Sequence, residues 1–182
     1  MSSVSFELVR HPQTRCASVH RVHALISRVT ADTLEVKQVF EGDLDRMVLP
    51  APQPPRIGDR LWQHTCCEIF IARLGLPGYH EFNFSPSGEW AAYAFARYRE
   101  PVPLAAEPLD PQITARSEPG SFELGAKIRL DRLSCGHFNT TLTIGLSAVI
   151  EDRDGALSYW ALKHPPGKPD FHHADAFMLT LV

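Results

Sequence analysis

Hydrophobic and polar residues alternate along much of this chain with a period of two. The clearest runs are Thr33–Phe40, Phe122–Leu130 and Thr141–Ile150, in which apolar residues recur at alternate positions. Side chains of a β-strand point alternately to its two faces, so this pattern predicts strands with one buried face. No long window fits the 3.6-residue period of a helix. The pattern therefore predicts an all-β protein.

Shorter segments with the same alternation supply further strands. They are Ser5–Val9, Val19–Val29, Leu61–Ala72, Tyr79–Phe84, Glu89–Tyr98, Leu157–Leu162 and Ala176–Val182. Turn-forming residues separate them at regular intervals, for example in the four-residue stretch Ser85–Gly88. Short strands with such regular turns predict a two-sheet antiparallel β-sandwich of the immunoglobulin or jelly-roll type, with about nine to eleven strands.

Three proline-rich segments interrupt the strands. They are Leu49–Arg56, Glu100–Pro111 and Lys163–His173. Each has the composition of a rigid loop and lacks the length and flexibility of a domain linker. With 182 residues, enough for one sizeable core, residues 1–182 are predicted to form a single domain.

Composition disfavours several classes of function. The formal net charge is -3 and no basic stripe is present, which argues against nucleic-acid binding. No apolar run of about eighteen residues occurs, so no membrane span is expected. The amino terminus lacks the features of a secretory signal peptide, so we expect a cytoplasmic protein.

The four cysteines are expected to be thiols in a reducing compartment. They are Cys16, Cys66, Cys67 and Cys135. Cys66 and Cys67 are adjacent on a predicted strand and should point to opposite faces. A disulfide between them would distort that strand.

The segment Leu61–Arg97 contains the first candidate binding residues. Trp62, His64 and Glu68 fall on one face of a predicted strand. At a rise of about 3.3 Å per residue, Trp62 and Glu68 would lie roughly 20 Å apart, so one sugar ring could touch both only if the strand bends or has a bulge. Trp62 is either a packing residue or a stacking surface. Glu68 is either a half-buried carboxylate paired with an arginine or a ligand contact.

A second group of candidates occupies the third proline-rich segment and the residues after it. The group comprises three histidines and two aspartates: His164, His172, His173, Asp170 and Asp175. Imidazole and carboxylate groups are metal ligands, so His172, His173 and Asp170 form a candidate metal site. Their spacing matches no compact zinc motif, and histidines that hydrogen-bond within a rigid loop are the alternative.

Common catalytic motifs are absent from the sequence. It contains no G-x-S-x-G elbow, no P-loop and no G-x-G-x-x-G after a strand. No pair of acids stands out as the two carboxylates of a glycosidase. Catalysis is therefore not the first expectation.

The core of the chain resembles a known superfamily. Trp62-x5-Glu68 followed by IFI, and then YHEFNFSPSGEW ending at Trp90, resembles the DOMON-like superfamily, in particular domains related to the family-nine carbohydrate-binding modules. The resemblance implies a β-sandwich with a concave ligand face. In the sugar-binding relatives two tryptophans clamp a terminal sugar, and polar side chains bind its hydroxyls. Trp62 and Glu68 match by position, and Trp160 would be the second aromatic plate.

These observations favour a non-catalytic domain that binds a carbohydrate or a similar polar small molecule. Trp62 and Trp160 would stack on the ligand. Its polar neighbours would be Glu68, Asn83 and His64. His164 follows Trp160 by four positions, so both would share a strand face and could line one wall.

Two alternatives stay open, and the sequence leaves the cofactor and the oligomeric state undetermined. One is a redox protein that holds haem or a metal ion through His164, His172 or His173, with Met178 as a further ligand. The other is a small hydrolase or isomerase in which His172 or His173 acts as a base with Asp170 or Asp175.

Overall fold

The computed structural model describes residues 3–106, 108–133, 136–137 and 139–182, so Cys135 lies outside it. Within this part of the chain the helical segments are 3₁₀ turns of three residues, namely Leu44–Arg46, Leu61–Gln63, Leu130–Arg132 and Ala174–Ala176. None of the described helices has the length and apolar character required to cross a membrane. The remaining regular structure is β-strand, which confirms the all-β prediction.

Thirteen strands are formed by the described residues. In chain order they are β1 (Val4–Arg10), β2 (Val19–Thr30), β3 (Thr33–Gly42), β4 (Arg56–Ile57), β5 (Cys66–Arg73), β6 (Tyr79–Phe84), β7 (Glu89–Arg97), β8 (Glu100–Val102), β9 (Gln112–Glu118), β10 (Ser121–Arg129), β11 (Leu142–Glu151), β12 (Leu157–Ala161) and β13 (Leu179–Leu181). The strands that the sequence did not predict are β4, β8 and β9. The first two have only two and three residues, and β9 is exposed along most of its length, so none shows a period-two pattern of buried residues.

Hydrogen bonding joins all thirteen strands into one sheet. Its order is β4-β7-β6-β5-β11-β12-β1-β2-β3-β10-β9, with β13 beside β11 and β8 beside β7. Strand β1 makes the sheet continuous, because its first residues pair with β2 and its last two pair with β12. The pairs are antiparallel except β4 with β7, which is parallel. The strands thus form a single curled, mixed sheet, and the predicted arrangement as two antiparallel sheets is not confirmed.

The main core lies between the two halves of the curled sheet. Apolar side chains of β2, β3 and β10, such as Phe40, contact those of β5, β6 and β11, such as Phe82, in one buried cluster. Gln38 on β3 crosses this core and donates from Nε2 to the carbonyl of Ser147 on β11, at 3.0 Å. The alternating apolar residues of each strand supply this inner face, as the sequence predicted.

Strands β5 and β6, which carry residues of the site, are buried on both faces. The β5 side chains on one face, such as Cys67 and Ile69, belong to the main core. Those on the other face, such as Cys66 and Phe70, belong to a second cluster that includes Phe171 from the last proline-rich loop. Cys66 and Cys67 thus point to opposite faces and both are free thiols, as expected. Burial raises the pKa of each thiol, so neither is an activated nucleophile.

Candidate functional site

The alternation along β5, β6 and β11 places a set of polar side chains on the face opposite the main core. In the register of the sheet, Glu68 lies between Asn83 on β6 and Ser147 on β11. Phe70, two residues after Glu68 on β5, is paired with Glu81 on β6. Glu68, Glu81 and Asn83 therefore form a compact polar group in the middle of an otherwise apolar sheet face.

Glu68 and Glu81 form the floor of a cleft of about 620 Å³, whereas Asn83, a predicted ligand contact, is fully buried and does not line it. The walls are mainly aromatic, and their rings belong to Trp62, Tyr93, Phe95, Tyr159 and Phe171. The rings come from strands β7 and β12, from the turn before β5 and from the last proline-rich loop. Flat apolar walls over a hydrogen-bonding floor are typical of a small-molecule site.

Trp62 reaches this cleft because the chain turns just before β5. Arg60 adopts a left-handed conformation with a φ of 50°, and the 3₁₀ turn Leu61–Gln63 follows it. Leu61 is buried, whereas Trp62 is 45% exposed and lines the cleft together with Glu68. The prediction of a strand at Trp62 was wrong, so the rise of an extended strand does not set the separation of Trp62 and Glu68.

Glu68 and Glu81 are carboxyl groups almost removed from solvent, with exposures of 3% and 5%. Glu68 accepts hydrogen bonds from Ser147 Oγ at 3.2 Å and from the Cys66 thiol at 3.7 Å. Glu81 accepts one from Asn83 Nδ2 at 2.9 Å. Among the described residues, no lysine or arginine nitrogen lies within 4.0 Å of either carboxyl group.

Burial controls the protonation of this pair. Burial and the negative charge of Glu81 raise the pKa of Glu68 to about 8, and burial raises the pKa of Glu81 to about 7. Like charges in a poorly solvated site disfavour double ionisation. Near neutral pH the pair therefore retains a proton, so it offers both a hydrogen-bond donor and an acceptor.

His172 connects the carboxyl pair to a neighbouring tyrosine. Its Nδ1 lies 2.8 Å from the hydroxyl of Tyr79, and its Nε2 lies 3.6 Å from Glu81. Burial and the nearby Arg99 lower the pKa of His172 to about 4, so the ring is neutral. Because Tyr79 already accepts a hydrogen bond from the Arg99 backbone, its own proton goes to Nδ1, and the Nε2 proton faces Glu81.

Arg99 lines the cleft, but its charge is balanced by Asp170. The guanidinium donates to Asp170 Oδ1 at 2.9 Å, and the Tyr98 hydroxyl donates to Oδ2 at 2.7 Å. The remaining cationic residue of the lining, Lys168, is exposed. Asp170, a predicted metal ligand, is thus a member of an ion pair.

Trp160 does not line the cleft as predicted. It is 5% exposed, belongs to the main core, and donates from Nε1 to Ser158 Oγ at 3.0 Å. Its neighbour Tyr159 occupies the cleft wall. The register explains the difference, since Trp160 is paired with Ala148, a core residue of β11. The expected pair of tryptophan plates is therefore replaced by Trp62 with other aromatic rings.

Two predicted histidines also lie outside the cleft lining. His64 pairs with Glu151, with 2.8 Å between Nδ1 and Oε2. His164 lies 2.8 Å through Nε2 from the carbonyl of Val9 and packs edge-to-face on His11. Strand β12 ends at Ala161, so the predicted shared strand face with Trp160 does not extend to His164.

The candidate metal ligands are not gathered at one point. His172 lines the cleft, whereas His173 lines a separate groove and accepts a hydrogen bond from the Asp175 backbone. No group of three or more histidine, cysteine, aspartate or glutamate residues in the described ranges is arranged to hold a metal ion. Met178, the proposed haem ligand, is 54% exposed and immediately precedes β13.

Several lining residues were absent from the predicted site. They are Glu81, Tyr93, Phe95, Arg99, Tyr159 and Phe171. The signal for Glu81 was present, because it alternates with Asn83 on β6, the strand that follows Glu68. Arg99 and Phe171 belong to connections between strands, where no periodic signal reports their direction.

Comparison with solved structures shows that the fold is shared with carbohydrate-binding proteins. A candidate carbohydrate-binding protein from Bacteroides uniformis ATCC 8492 is similar with a TM-score of 0.66 and 15% identity, over 97% of this chain and 84% of that one. A family-nine carbohydrate-binding module from Caldicellulosiruptor kristjanssonii, in complex with glucose, has a TM-score of 0.52 and 11% identity, over 83% and 72%. At these identities the likeness establishes the fold alone. Neither a protein-family model nor a curated protein matches this chain.

Proposed function

We propose that this chain is a carbohydrate-binding domain that holds a sugar in the cleft above Glu68 and Glu81. The observation that carries the proposal is the combination of aromatic walls with a buried polar floor. Sugar rings present apolar faces of C–H groups and a perimeter of hydroxyls. Such a ligand matches a site in which aromatic rings stack and a few polar groups set the orientation.

The polar floor suits hydroxyl groups because it can donate and accept. A hydroxyl carries one proton and two lone pairs. A carboxyl pair that retains one proton can accept from one hydroxyl and donate to the next. In this proposal Glu68 and Glu81 bind the hydroxyls, Asn83 supports Glu81, and Trp62 stacks on the ring.

The structural comparisons support the same function. One related structure is a candidate carbohydrate-binding protein, and the other is a carbohydrate-binding module in complex with glucose. The likeness to the family-nine module supports a relation to the wider DOMON-like superfamily. It also supports the proposal that the two halves of the curled sheet form a two-layer sandwich. We extend the proposal to a single domain that acts in the cytoplasm.

Calorimetric titration of the purified protein with neutral sugars tests the proposal. Glucose, galactose, xylose and cellobiose would each be titrated to tens of millimolar, with binding of at least one expected. The contact can be mapped in the same samples by ¹H–¹⁵N NMR, in which shifts should concentrate at the cleft residues. Absence of heat and of spectral change with all four sugars would contradict the proposal.

Replacing Trp62 with alanine should weaken sugar binding about tenfold, which corresponds to about 1.4 kcal/mol. The side chain is 45% exposed and lines the cleft, so its removal takes away a stacking surface and leaves the core intact. Leu76→Ala is a suitable control, because Leu76 is 49% exposed and belongs to the hairpin between β5 and β6, outside the cleft lining. Equal affinities of Trp62→Ala and wild type would remove Trp62 from the site.

A further inference from the structure

In the part of the chain that the structure describes, the carboxyl groups of the cleft floor lack a cationic partner, and a hydrogen-bond acceptor beside them lacks a donor. Among the described residues, no lysine or arginine nitrogen lies within ion-pair distance of Glu68 or Glu81, and the histidine beside Glu81, His172, is neutral. Asn83 is fully buried beside them, and its Oδ1 receives no hydrogen bond from the described residues. Buried acceptors and charges are normally paired, so this arrangement indicates a missing donor.

We propose that the sugar bound in this cleft is an amino sugar whose ammonium group lies between the carboxyl groups of Glu68 and Glu81. This inference rests on the proposed function and specifies the class of ligand. An ammonium group carries three donors and one positive charge, which matches the two carboxyl groups of the floor. The aromatic walls add to the attraction, because the faces of such rings favour a cation.

The other charged groups around the floor do not replace this ammonium. Arg99 is held by Asp170 at 2.9 Å, and Lys168 is exposed. Among the described residues, neither cation lies within ion-pair distance of the Glu68 or Glu81 carboxyl group.

The titratable groups that pack against the floor are neutral near pH 7. His172 has a pKa lowered to about 4 by burial and by Arg99. Burial raises the pKa of the Cys66 thiol and of the hydroxyls of Tyr79, Tyr93 and Tyr159. Apart from the Arg99–Asp170 ion pair, whose guanidinium also acts on both carboxyl groups, the charge that faces the ligand at the floor is that of the carboxyl pair.

Proton release accompanies this mode of binding. The free pair holds a proton near neutral pH because its two groups are buried together. An ammonium group stabilises both ionised carboxylates, so the proton leaves for the buffer as the ligand enters. A neutral sugar gives no such exchange, because it leaves the shared proton in place.

Competing sugars of the same ring skeleton provide the test. Glucosamine, glucose, N-acetylglucosamine and glucuronate would be titrated at pH 7 into the full chain. We expect glucosamine to bind about tenfold more tightly than glucose, since hydrogen bonds to charged partners are the stronger ones. N-acetylation removes the charge and should remove this advantage. Repeating the titration in buffers of different ionisation enthalpy should reveal proton release with glucosamine and none with glucose.

A variant of the floor checks that the carboxyl pair is responsible. Glu81→Gln should lower the affinity for glucosamine to that for glucose, and Glu68→Gln serves the same purpose if the first variant does not fold. Glu89→Gln is the matched control, because Glu89 pairs with Arg56 away from the cleft lining and should keep the preference.

The outcomes separate this inference from the function on which it rests. Equal affinities for glucose and glucosamine, or tighter binding of glucuronate, would overturn the amino-sugar assignment and leave sugar binding intact. Failure of all four sugars to bind would contradict both.

Discussion

Replacing Trp160 with alanine is expected to lower the free energy of unfolding by about 3–5 kcal/mol. Trp160 is 5% exposed and packs in the main core between the two halves of the sheet. Its removal leaves a large cavity, and Ser158 loses the indole partner of its hydroxyl. Urea denaturation followed by circular dichroism would measure the change as a lower midpoint with an unchanged slope.

Trp62→Ala supplies the matched comparison, because it is the same substitution at an exposed site. We expect it to change the free energy of unfolding by no more than about 1 kcal/mol, since large losses require a core cavity or an unpaired buried group. The two variants should thus separate stability from binding. A Trp160→Ala protein as stable as wild type would show that Trp160 is not a core residue.

The contrast between these tryptophans shows where the period-two pattern stops being informative. The segment Leu157–Leu162 predicted a strand, and β12 is present. Tyr159 and Trp160 are both large aromatic residues, so hydrophobicity does not decide which of them faces the core. Pairing with Ala148 turns Trp160 inward, and this register is a long-range property.

Turns limited the prediction of the site in a different way. The run from Leu61 to Ala72 was interpreted as one strand, but β5 begins only at Cys66. The left-handed residue that starts the preceding turn is Arg60, and arginine carries no sequence signal for this conformation. The predicted spacing of about 3.3 Å per residue therefore failed at Trp62 and remained valid within β5.

Glu68 illustrates a site that sequence reasoning could locate but not explain. Its place on a strand face was expected, and it was predicted to be either a half-buried carboxylate paired with an arginine or a ligand contact. In the structure its acidic neighbour is Glu81, while Arg99 is paired with Asp170. Such pairings depend on loops that meet from distant parts of the chain, and no local pattern records them.

Glu68→Gln is expected to change how stability depends on pH, as the second large effect. The pKa of Glu68 rises from an ordinary value of 4.5 to about 8 in the folded protein. Between these values the folded state binds more protons than the unfolded state, so the free energy of unfolding falls as the pH rises. The glutamine variant lacks this titration. Relative to wild type it should gain a few kcal/mol between pH 5 and pH 8, at about 1.4 kcal/mol for each unit of pKa shift.

The difference between variant and wild type is the quantity to measure, because other groups titrate in the opposite sense. Burial lowers the pKa of His80 and of His172 to about 4, so both disfavour the folded state as the pH falls from 6.5 toward 4. Their contribution is shared by the two proteins and cancels in the comparison. Glu89→Gln removes a carboxylate that pairs with Arg56 outside the cleft lining and serves as the control substitution. A constant difference between Glu68→Gln and wild type from pH 5 to pH 8 would mean that Glu68 ionises in the folded protein as it does in the unfolded chain.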